Sequence, residues 1–141
     1  MMNIAVRYYT RSGNTEKLAN AIAQALGVEA HSVSTPLSEK TDILFLGSSV
    51  YAAGVDDAVK AFLSQNAASI GTVVNFSTAA LLSSTYKQVK KLAEENGLSM
   101  ASEEFHCRGS FTLLHRGRPN ADDLQKAADF AKAYIKSIGK E

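Results

Sequence analysis

Arg7-Tyr8-Tyr9-Thr10-Arg11-Ser12-Gly13-Asn14-Thr15-Glu16 follows directly on a short apolar run and leads into a helical pattern. Thr10, Ser12 and Thr15 each carry a hydroxyl that can donate its proton. Gly13 has no side chain, so the main chain can close around an anion there. The N–H groups that open the next helix have no intrahelical acceptors and carry the positive end of its dipole. Apart from Arg11, the residues from Thr10 to Thr15 are uncharged. The stretch is therefore suited to hold a phosphate by hydrogen bonds rather than by a lysine clamp.

The spelling excludes two commoner phosphate loops. Gly-x-x-x-x-Gly-Lys-Ser/Thr is absent because the lysine and second glycine are missing, and Gly-x-Gly-x-x-Gly is absent as well. Working outward, residues 3–9 read as a strand interrupted by Arg7, which if buried needs a carboxylate, with Glu29 or Asp42 the candidates. Leu18, Ile22, Ala25 and Leu26 mark one face of a helix ending at Gly27. Residues 28–33 read as a short strand and 42–48 as a strand apolar on both faces, as in the middle of a parallel sheet. Val55, Val59, Phe62 and Leu63 mark a second helix, and 71–77 a fourth strand. Tyr86, Val89 and Ala93 line a third helix closed by Gly97. Residues 103–111 read as a fifth strand. Asn120, followed by Asp122 and Asp123, caps a last helix with Leu124, Ala127, Ala128, Ala131, Ile135 and Ile138 inside.

This alternation predicts an α/β fold: a doubly wound, five-stranded parallel sheet in three layers, α/β/α. The chain of 141 residues reads as one domain, 1–141. In such a sheet, ligands bind at the carboxyl ends of the strands, where the strand order reverses. For the order 2-1-3-4-5 that point lies between the first and third strands, which end near Thr10 and Ser48. The apolar share of 45% and charged share of 21% are those of a soluble protein. A net charge of +1 provides no field for nucleic acid or an anionic membrane. No apolar run is long enough to span a bilayer, and no export signal is visible. The single cysteine fits a reducing compartment, so the expected location is cytoplasmic. No His/Cys cluster has metal spacing.

Thr10-Arg11-Ser12-Gly13-Asn14-Thr15 resembles the FMN-phosphate loop of the flavodoxins, Thr-x-Ser/Thr-Gly-Asn-Thr, and all five specified positions match. The chain resembles a short-chain flavodoxin, a small bacterial flavodoxin-like FMN protein, over nearly its whole length. The resemblance implies a flavodoxin-like fold and FMN as cofactor. Its first ring-binding loop corresponds to Ser48, Ser49, Val50, Tyr51, Ala52, Ala53 and Gly54, with Tyr51 the candidate to stack on the ring. Gly54, or the Ala52-Ala53 pair, could turn a carbonyl toward the flavin. The second loop corresponds to Ser77, Thr78, Ala79 and the residues up to Ser84. It lacks the aromatic that flavodoxins often place there, leaving Leu81 or Leu82 to cover the ring. Cys107, Arg108 and Gly109 match a Cys-Arg/Lys-Gly signature of the same group, although a lone thiol on a strand is usually a small buried side chain.

The implied function is electron transfer through the flavin to or from a redox partner protein, a reductase or acceptor enzyme, with no catalytic residues of its own. A flavin-dependent reductase acting on a quinone, flavin or tetrapyrrole is the alternative. The chain departs from many flavodoxins in lacking a strong acidic excess. Arg11, Lys87, Arg108, Arg116 and Arg118 could lie on the flavin side and favour an acidic partner.

Overall fold

Ile43-Leu44-Phe45-Leu46 offers no polar face, so it must be covered on both sides. In the computed structural model this run occupies the centre of the sheet. The structure describes residues 2–10, 13–49, 56–79, 85–108 and 119–139. The run lies in β3 (Thr41–Ser49), flanked by β1 (Ile4–Tyr8) and β4 (Ile70–Ala79). Beyond them lie β2 (Ala30–Ser32) and β5 (Ser99–Arg108), giving the order β2-β1-β3-β4-β5 with every pairing parallel. The predicted flavodoxin-like topology is the one observed.

Side chains alternate across each strand, so the sheet divides the core in two. Val6, Ile43, Phe45, Val74 and Phe76 pack with α1 (Asn14–Leu26) and α4 (Ala121–Ile138). Leu44, Leu46 and Val73 pack with α2 (Asp57–Asn66) and α3 (Tyr86–Glu95) on the other face. A short 3₁₀ turn, Ala67–Ser69, joins α2 to β4. Two helix ends follow the expected chemistry. Gly27 closes α1 at φ 72°, with the Val28 N–H donating to the Ala23 carbonyl at 3.0 Å. Asn120 and Asp123 form a reciprocal capping box on α4, at 3.0 and 2.8 Å.

Four local expectations are corrected. Arg7 is buried but, among the described residues, takes no carboxylate: its guanidinium donates to the carbonyls of Thr35 (2.9 Å), Val6 (3.1 Å) and Pro36 (3.3 Å). Asp42 instead accepts from the Asn3 N–H at 2.8 Å, and Glu29 is exposed. Three carbonyl dipoles thus solvate the cation and tie the β2–β3 connection to the middle of the sheet. Second, α1 buries Leu18, Ala19, Ile22 and Ala23, while Ala25 and Leu26 lie at the margin; the alanines let α1 sit against α4. Third, β5 begins at Ser99 rather than at 103. Its register against β4 runs Val73↔Met100 and then Asn75↔Glu104, so a bulge breaks the period-2 pattern by which a strand is recognised. Fourth, α4 also buries Tyr134, which meets Phe45 edge-on at 6.1 Å between ring centroids. Position 55 and the end of the fifth predicted strand, 109–111, lie outside the described residues.

Two tyrosines carry a pH signature. Burial, then the charge of Glu103, raises the pKa of Tyr134. Burial, then the charge of Glu16 and a hydrogen bond to it, raises that of Tyr8. A group with a raised folded-state pKa contributes stability that is complete below its unfolded value, here 10.0, and is lost as pH rises through the folded value. Urea unfolding midpoints are therefore expected to fall beyond about pH 10, and Tyr134→Phe should fall less between pH 9 and 11.5. An equal fall in both proteins would remove Tyr134 as a source.

Candidate functional site

The site expected from the sequence begins where β1 ends. The Tyr9 N–H donates to the Gly47 carbonyl at 3.0 Å, carrying the β1–β3 pairing one residue past the strand. The chain then reaches Thr10, whose Oγ1 accepts the Gly13 N–H at 2.9 Å. That bond occupies a lone pair and leaves the Thr10 proton for another acceptor. Gly13 stands at φ 89°, ψ −3°, in the left-handed region that a side chain disfavours, and α1 starts at the next residue. Asp56 caps α2 and Asn120 caps α4 with side-chain oxygens, whereas Gly13 has none to place over α1. A carboxylate, Glu16, stands in the first turn of α1, near enough to Tyr8 for its charge to raise the pKa of the tyrosine. The mouth of α1 thus joins a helix dipole to hydroxyl donors, the chemistry that suits a phosphate.

The ends of β3, β4 and β5 lie beside this mouth in register: Ser48↔Ser77, Ser49↔Thr78, Thr78↔Cys107 and Ala79↔Arg108. Asn14 and Thr15 are buried at the start of α1, and the Thr15 hydroxyl lies 3.0 Å from that of Thr78. One hydrogen bond therefore joins the predicted phosphate loop to the predicted second ring loop. Gly47 makes the approach possible: a Cβ there would collide with the Phe76 ring and lie 2.9 Å from the Thr15 methyl.

Ser48 and Ser77 point elsewhere. Both are fully buried and engage Thr85, the residue before α3. Ser48 Oγ donates to Thr85 Oγ1 at 2.9 Å, and the Thr85 N–H donates to Ser77 Oγ at 3.4 Å. Asn75 Nδ2 also donates to Thr85 Oγ1 at 3.1 Å, and the Asn75 side-chain oxygen Oδ1 lies 3.4 Å away to take the threonine's own proton. Sequence reasoning missed Thr85 and Asn75. The available signal was Asn75 itself, an amide inside the apolar run Val73-Val74-Asn75-Phe76, which a buried strand tolerates only with partners.

Ser49, Ala79, Cys107 and Arg108 are placed by their strand pairings. Arg11, Ser12, Val50, Tyr51, Ala52, Gly54 and Gly109 lie outside the described residues, as do Arg116 and Arg118. Lys87 is exposed on α3.

A family model described as a flavodoxin domain matches residues 5–110. An uncharacterised protein of Methanocaldococcus jannaschii is 30% identical over 137 residues, covering 88% of this chain and 91% of that protein. Among solved structures, a flavodoxin from the domain Archaea superposes with a TM-score of 0.80 at 17% identity, over 98% of this chain and 99% of that one. Flavodoxin 1 from Bacillus cereus gives 0.69 at 18% identity, covering 95% and 97%. The flavodiiron core of Flv1 from Synechocystis sp. PCC6803 gives 0.72 at 19% identity, with this chain spanning 36% of its length. At such identities the structures speak to the fold.

Proposed function

The chain belongs to the flavodoxin-domain family, and from that premise we propose that it binds FMN at the carboxyl ends of β1, β3 and β4 and exchanges electrons with a redox partner protein. The observation that carries the reading is the Thr10–Gly13 turn into α1 at the point where the strand order reverses. The residues present fit the cofactor's phosphate: Thr10 keeps its hydroxyl proton while accepting from the Gly13 N–H, and α1 opens at Gly13 with no side-chain cap over its first N–H groups. Thr10, Ser12 and Thr15 are assigned to donate to it, with the dipole of α1 behind them. Residues 49–54, Tyr51 among them, are assigned to one face of the ring. Thr78, Ala79 and residues 107–109 are assigned to its edge. A bound flavin supplies the one- and two-electron chemistry, while the protein supplies binding, orientation and access. Residence in the cytoplasm is proposed from the lone cysteine; among the described residues no helix is long and apolar enough to cross a membrane.

The test is a visible spectrum of the purified protein, before and after addition of FMN. Flavin bands that stay with the protein through gel filtration are expected; a colourless protein after that treatment would refute the assignment. Thr15→Ala and Ser12→Ala are each expected to weaken FMN binding by about 1–2 kcal/mol, the loss of a charge-assisted hydrogen bond. Dissociation constants equal to the parent's would take those side chains out of the site.

A reductase on the same fold is the second reading, favoured by the absence of an aromatic from residues 77–84. Rapid bleaching of the bound flavin by NAD(P)H alone would select it. Inertness until a separate reductase is added would select the carrier.

A further inference from the structure

We propose that Thr85 is a positioning residue of the flavin site, which holds the bases of both ring-binding segments against each other from beneath. The inference rests on the FMN reading above. In the chain, residues 50–55 follow Ser49, the last residue of β3, and residues 80–84 connect Ala79, the last of β4, to Thr85. The Thr85 N–H bond to Ser77 Oγ closes the second segment on its own starting strand, eight positions back. The Ser48 bond to Thr85 Oγ1 ties the same point to the end of β3, where the first segment starts. Asn75 fixes the orientation of the threonine from within β4.

The arrangement is not what the position alone favours. A threonine before a helix ordinarily turns its hydroxyl onto its own first turn, satisfying one of the helix's open N–H groups. Thr85 makes no such cap; its hydroxyl faces the interior, where it meets a serine 37 positions away and an asparagine 10 positions away. All four residues are fully buried, so each bond is made out of reach of water, where a lost partner leaves a costly orphan. Fixing both bases before a ligand arrives removes ordering entropy from the binding step. The effect should fall on the ring rather than on the phosphate, because Thr85 bonds to the ends of β3 and β4, whereas the mouth of α1 meets β4 through Thr15 and Thr78 without Thr85.

The test titrates apoprotein with FMN and with riboflavin, which has the ring without the phosphate, by quenching of flavin fluorescence. Thr85→Val keeps the shape and removes the hydroxyl. It is expected to weaken both flavins by the same factor, on the order of tenfold, and to alter the fine structure of the bound flavin's absorption band. Thr85→Ser should restore the parent's values and spectrum. Ser12→Ala should weaken FMN and leave riboflavin unchanged. If Thr85→Val does not fold, Ser48→Ala, which removes one bond to the hub, is expected to weaken riboflavin several-fold. Riboflavin affinity and spectrum unchanged in whichever of these variants folds would overturn the proposal, as would a serine variant as impaired as the valine one. A parent apoprotein that takes up neither flavin would refute the FMN reading, an outcome distinct from a parent that binds both and a Thr85 variant that binds them equally well.

Discussion

Phe45→Ala is expected to lower folding stability by about 3–5 kcal/mol, as large-to-small truncations of core phenylalanines do. Phe45 is fully buried at the centre of the sheet, between Val6 of β1 and Val74 of β4 in register, and its ring forms a T-shaped pair with that of Tyr134. Removing the ring forfeits transfer energy and leaves a cavity under α1 and α4. Strands on both sides hold that cavity open, because parallel pairing leaves β3 no freedom to collapse toward either helix. A domain of this size has about 5–15 kcal/mol in total, so the loss is a large share of it. Urea unfolding followed by far-UV circular dichroism measures it. Phe45→Leu should cost far less, since most of the volume remains. A loss below about 1 kcal/mol for the alanine variant would show that the two helices close over the gap.

Gly47→Ala is expected to cost about 1–3 kcal/mol through overpacking, and to weaken flavin binding as well. Gly47 is not required by backbone conformation; the added methyl would meet the Phe76 ring on β4 and the Thr15 methyl on α1. Phe76 is fully buried in the layer under α1 and α4, so its ring can yield only by displacing its packed neighbours. Pressure on Thr15 would in turn disturb its bond to Thr78 and the turn that opens α1. Smoothing the collision with Phe76→Leu gives a direct check. In a double-mutant cycle, the second substitution should recover part of what the first loses. Strictly additive losses would show that the glycine accommodates something other than the ring.

Much of the fold is legible in the chain because alternation and amphipathic periodicity report which face of an element is buried. Ile43 to Leu46 reads as a central strand since nothing in it tolerates water. Gly27, Gly97 and Asn120 mark helix ends through local chemistry that needs no distant partner. The loop from Thr10 to Thr15 is equally local: donors, a glycine and a helix start within six residues. Periodicity does not report partners. Arg7 reads as a cation in want of a carboxylate, yet the carbonyls of Thr35 and Pro36 serve, because the β2–β3 connection folds back over β1. The bulge in β5 erases the pattern that would have revealed where that strand begins.

The residues from Thr10 to Thr15 and the spacing of apolar side chains were enough to specify a doubly wound parallel sheet with a glycine turn and a helix start after its first strand. Those signals act between neighbours in the chain, through hydroxyl and amide chemistry, glycine geometry and the 2.0 and 3.6 residue periods. Which distant partner each buried hydroxyl meets was decided by the tertiary structure. Thr15 meets Thr78 across 63 positions and Ser48 meets Thr85 across 37, because buried oxygens and protons must pair with whatever strand register brings within 3 Å.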